Sequence, residues 1–208
     1  MNEGQVVELI LQSLEAELGG VKIYQAALQC AVNPDLREEW EGYLAETEEH
    51  VATMREVCET LEIDQNAQSP GRAVVRHIGA SLVQAIEMAR QAGDPVAAEL
   101  VACECVVFAE TKDHADWELI GQCAKQGSGK MATALMTAYE DVEEQEDTHL
   151  YHSRGWCREL WIQALGLDAV LPPPEERLQV RTAIGAARAQ ASVRNARRIG
   201  ETEPSSTN

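Results

Sequence analysis

From Val7 the residues Ile10, Leu14, Glu17, Val21, Tyr24 and Leu28 recur at alternating steps of three and four, the seam of a helix packed along its whole length. The same period returns with Leu36, Trp40, Tyr43, Thr47, His50, Met54, Val57 and Leu61, which predict a second helix. A shorter third is predicted over 72–91. Val96, Leu100, Cys103, Val107, Glu110, His114 and Gly121 trace a fourth, and Leu135, Tyr139, Val142, Glu146, His149, Trp156 and Leu160 a fifth. Between them stand the breakers Asn33-Pro34-Asp35, Ser69-Pro70-Gly71, Gly93-Asp94-Pro95 and Gly127-Ser128-Gly129. The pattern predicts two long helical hairpins, roughly 3–62 and 95–166, joined by a connection that itself contains a helix. That is an all-α four-helix bundle with one long crossover.

The composition agrees with a helical chain that buries its own core. Of the 208 residues, 45% are apolar and one is Phe. A formal net charge of −18 argues against nucleic-acid binding by the body and against adhesion to anionic membranes. The opening residues are polar and acidic, and no apolar run reaches transmembrane length, so a soluble, cytoplasmic protein is expected. Six cysteines are dispersed along the helical patterns without a C-x-x-C pair. This spacing favours small core residues over disulfides or a zinc or rubredoxin-type site. Past Leu165 the character changes. Leu171-Pro172-Pro173-Pro174 reads as a stiff linker, and Arg177 to Arg198 carries six arginines in an Ala-rich stretch. The expected division is a bundle over 1–168 and a Pro-rich linker with a basic tail over 169–208, the tail helical or disordered and able to dock on the acidic body, on a second subunit or on a protein partner.

Polar residues occupy seam positions where leucine is the usual choice. Glu17, Glu110, Glu146, His50, His114 and His149 are flanked by apolar residues a turn away on both sides. Ala45-Glu46-Thr47-Glu48-Glu49-His50 and Ala109-Glu110-Thr111-Lys112-Asp113-His114 nearly repeat each other, and Glu146-Asp147-Thr148-His149 adds a Glu-x-x-His pair. Burying an unpaired carboxylate is costly, so repeated burial demands compensation by cationic side chains or by a metal. Lysine and arginine are missing from these seam positions, which favours metal. At roughly 100° per residue, Glu46 lies ~75° and His50 ~35° from the centre of the apolar face of the second helix, so both can turn inward. His114 is central on the fourth helix with Glu110 ~40° away, while Glu104 lies ~80° off centre within an apolar run. The candidate ligands are Glu17, Glu46, His50, Glu110, His114, Glu146 and His149, with Glu104 and Glu143 left open. That count suits two metal ions better than one.

Glu17 on the first helix, Glu46 and His50 on the second, Glu110 on the fourth and Glu146 with His149 on the fifth resemble the ferritin-like superfamily, which includes ferritins, rubrerythrins and manganese catalases. The resemblance covers about residues 3–166. The family pattern takes a glutamate from each of two helices and Glu-x-x-His from each of the other two. This chain departs from it at Thr47, which stands three before His50, and at His114, an extra imidazole. The resemblance implies two iron or manganese ions per subunit, dioxygen or hydrogen peroxide as co-substrate, and a homo-oligomer, dimer or larger. It implies oxidoreductase chemistry of the ferroxidase, peroxidase or catalase-like kind, linked to oxidative stress. A non-catalytic metal-binding, iron-sequestering or cargo protein is the alternative.

Overall fold

The computed structural model describes residues 1–168; the proposed linker and basic tail lie outside the described residues. Five helices are described: α1 (Glu3–Leu28), α2 (Pro34–Thr60), α3 (Pro70–Gln91), α4 (Pro95–Gln126) and α5 (Gly129–Ala164). The protein is all-α among the described residues, as the seams predict. The starts of α1 to α4 follow from local capping residues. Asn2, Asn33, Ser69 and Asp94 accept hydrogen bonds from backbone N–H groups in the first turns of α1 to α4, and proline opens α2, α3 and α4, where its missing N–H costs nothing. After α3, Gly93 takes φ +88°, a left-handed conformation that lets the chain reverse into α4. No described helix is long and apolar enough to cross a membrane.

Contacts set off Met1–Leu150 as one compact unit, with a second beginning at Tyr151. In the first, α1, α2, α4 and the first half of α5 share one core. Ile10 and Leu14 meet Met54 and Val57, Trp117 and Ile120, and Leu135 and Val142. Gly121 is required there, since a Cβ at that position would lie 2.5 Å from the Tyr139 ring. The crossover helix α3 packs against α1 and α4. Its anchor is ionic. Arg72 Nε and Arg76 Nε each donate to Glu15 at 2.7 Å, and Arg72 also donates to the Gln65 and Ala67 carbonyls. These bonds satisfy the Glu15 carboxylate and the loop before α3 together.

Candidate metal centre

One turn beyond the apolar core each helix of the bundle changes chemistry. Leu14 is followed by Glu17 on α1, Met54 is preceded by His50 on α2, Trp117 by Asp113 and Glu110 on α4, and Val142 is followed by Glu146 and His149 on α5. All six polar residues are buried, with exposures between 0% and 6%. They meet at one place. His50 Nδ1 lies 3.0 Å from Glu146 Oε1 and 3.6 Å from Glu17 Oε1, and His149 Nδ1 lies 3.7 Å from Glu146 Oε1 and 3.8 Å from Glu110 Oε2. Two sets of donor atoms each fit within 4.8 Å: His50, Glu146 and His149 form one, Glu17, Asp113 and Glu146 the other. Glu146 belongs to both.

Neighbouring side chains set which atoms face the cluster. Trp117 Nε1 donates to Glu17 Oε1 at 2.8 Å, and the Tyr24 hydroxyl donates to Glu110 Oε1 at 2.7 Å. Each bond occupies one carboxylate oxygen and leaves the other bare. The imidazoles are held in the same way from behind. His50 Nε2 is 2.7 Å from Gln145 Oε1 and His149 Nε2 is 2.6 Å from Glu46 Oε2. Both partners offer an oxygen acceptor, so in a neutral ring Nε2 carries the proton and Nδ1 keeps its lone pair toward the cluster.

The result is a concentration of unmet polar atoms. Glu17 Oε2, His50 Nδ1, Glu110 Oε2, Asp113 Oδ1, Glu146 Oε2 and His149 Nδ1 are buried without an aligned hydrogen-bond partner; outside the cluster, only Ser13 Oγ and Ser153 Oγ among the described residues share that condition. No lysine or arginine pairs with the four carboxylates among the described residues, and Lys112, next to Asp113, pairs instead with Asp116. Without a cation the cluster holds protons. Burial pushes the Glu110 carboxyl up to about 7, and it raises Glu17 and Asp113 as well, reinforced by the crowded neighbouring carboxylates. Burial opposes a charge on His50, but Glu146 and Glu17 beside it outweigh that cost and push the ring up to about 11.

Of the residues singled out in the sequence, Glu17, His50, Glu110, Glu146 and His149 are brought together. Glu46 reaches the edge only: its side chain is 37% exposed and its carboxylate holds the far nitrogen of His149. The structure does not bring His114 to the cluster. Its Nδ1 is 3.5 Å from Asp147 and its Nε2 3.7 Å from Glu118, an exposed residue. Asp113 stands in its place, because the buried face of α4 runs through Val106, Glu110, Asp113, Trp117 and Ile120 rather than through Val107 and His114. One residue along a helix turns the side chain by ~100°. Trp117 and Ile120, four and seven residues after Asp113, carry the signal that sets this phase. Glu104 and Glu143 belong to neither donor set, and Glu143 accepts a hydrogen bond from Tyr139.

Each of the two donor sets could hold a divalent cation. Four carboxylates with two neutral imidazoles carry a formal −4, the charge that two such ions balance. No protein-family model, no curated protein and no solved structure matches this chain.

Proposed function

We propose that the chain is a ferritin-like protein of the dimetal-carboxylate kind, holding two iron or manganese ions and reacting with dioxygen or hydrogen peroxide. The observation that carries this reading is the convergence of six buried donor atoms, none with an aligned hydrogen bond, from four helices. A metal ion is the compensation that fits, since a structural role would favour the arginine pairing used at Glu15.

Residues of this chain divide the work. His50, His149, Glu17, Glu110, Asp113 and Glu146 would hold the ions, with Glu146 common to both donor sets. Gln145 and Glu46 fix the imidazole tautomers, and Trp117 and Tyr24 fix the orientation of Glu17 and Glu110. Burial and the adjacent Glu110 keep the Tyr24 hydroxyl protonated, so it serves as a donor to Glu110. The ions would supply the change of oxidation state, each giving one electron to the oxygen substrate. Loading displaces the protons the cluster otherwise keeps, so metal uptake releases acid.

Elemental analysis of the full chain after growth with iron and manganese tests this reading. A ratio near two ions per chain, lost in Glu146→Ala, supports it. Absence of metal overturns it. Metal without consumption of peroxide or oxidation of ferrous ion selects the non-catalytic sequestering role.

A further inference from the structure

A crevice opens between α1, α3 and α4, and its lining combines exposed residues with two residues of the cluster. Ile78 and Phe108 stand at its mouth, 52% and 65% exposed. Ala16, Gly19, Val75, Leu82 and Ala109 continue the wall, together with Glu15 and Lys112, and the buried residues Glu110 and Asp113 also line it. Gly19 and Gly79 bring α1 and α3 into close contact beside the crevice, a Cβ on Gly79 lying 3.6 Å from the Gly19 Cα. Glu110 and Asp113 both carry a buried atom without a hydrogen-bond partner, Glu110 Oε2 and Asp113 Oδ1. An apolar passage lined by residues that bear unmet metal-type donors is costly to keep unless something travels through it.

Size and polarity choose the traveller. The crevice holds about 50 Å³ of space open to a water-sized molecule. An engineered apolar cavity of about 150 Å³ takes up benzene or xenon, so this one admits a diatomic molecule or a noble-gas atom and excludes an aromatic ring or a long alkyl chain. Hydrogen peroxide and hydrated cations need polar groups to replace their water, and the charged residues along this passage besides Glu110 and Asp113, Glu15 and Lys112, are tied up in ion pairs with Arg72 and Arg76 and with Asp116. Resting on the dimetal reading above, we propose that the α1–α3–α4 crevice is the route by which dioxygen reaches the Glu110 and Asp113 side of the cluster. Peroxide and metal ions enter elsewhere.

Crystals of the metal-free full chain placed under xenon pressure test the route without any need for turnover. Xenon should appear between Ala109 and the α3 wall, and should be lost in Ala109→Leu and in Ala16→Leu, two fillers on different helices whose folding is checked by thermal unfolding. In the iron-loaded variants the ratio of dioxygen-driven to peroxide-driven oxidation should fall several-fold at unchanged metal content. A crevice free of xenon in the unaltered protein overturns the route, as does an equal slowing of both reactions. Absence of metal from the loaded protein overturns the dimetal reading instead, and the xenon result stands apart from it.

Discussion

Glu15 and Glu17 sit two residues apart on α1, both buried, and they meet opposite fates. Glu15 faces α3, where two arginine side chains grip both its oxygens and hold its carboxyl below the usual range despite burial. Glu17 faces the middle of the bundle, where it finds Trp117, His50 and more carboxylates, and burial holds its carboxyl above the usual range. A chain that neutralises one buried glutamate with two arginines, yet offers its neighbour no arginine or lysine, treats the second position differently. The first carboxylate is a fastener. The second has the properties of a ligand.

The largest expected effect breaks the fastener. Arg72→Ala strips Glu15 of its buried partner, and loss of one member of such a pair typically costs about 3–5 kcal/mol; urea unfolding of the metal-free protein measures it. Next comes the ligand side. Ferrous or manganous ion at a hundredfold excess over its dissociation constant should add about 2.7 kcal/mol per site, read as a rise in unfolding temperature that Glu146→Ala abolishes. An Arg72→Ala chain should keep that rise if the two regions are separate.

Acidity separates the regions by sign. For Glu15 the folded pKa is depressed, so its contribution is present above the ordinary value of 4.5 and is lost as pH falls below it. For Glu110 the folded pKa is raised to about 7 from 4.5, so the metal-free fold loses stability as pH climbs through that window. Thermal unfolding against pH should slope downward from about 4.5 to 7, and Glu110→Gln should flatten that slope while leaving the acid limb intact. The smallest effect is expected at His114. Replacing it by Ala should change stability by no more than about 0.5 kcal/mol and leave metal content unchanged, whereas Asp113→Ala should lower metal content.

The helices were legible because each rests on local signals: an alternating seam, an Asn, Ser or Asp cap, and a proline or glycine break. Much of the cluster was legible for the same reason, since Glu17, His50, Glu110, Glu146 and His149 interrupt apolar seams at matching depth. Asp113 was missed on α4, whose apolar residues run so nearly all round that Val107 and Val106 serve equally well as the start of a seam. Bulk breaks the tie, because Trp117 and Ile120 demand the core and carry Asp113 inward with them. Contacts between distant helices left no such trace. Nothing local announces that Arg72 and Arg76 would reach Glu15, that Gln145 would meet His50, or that Gly19 and Gly79 would meet across α1 and α3.

The two acceptors behind the histidines have a consequence of their own. Gln145 offers His50 a neutral amide oxygen, while Glu46 offers His149 a carboxylate that the ring itself holds below its usual range. A charged acceptor draws the Nε2 proton away more strongly and leaves the opposite nitrogen richer in electrons. The bundle therefore breaks its own symmetry from outside: its two imidazoles are the same side chain with different donor strengths, tuned by residues that never face the centre.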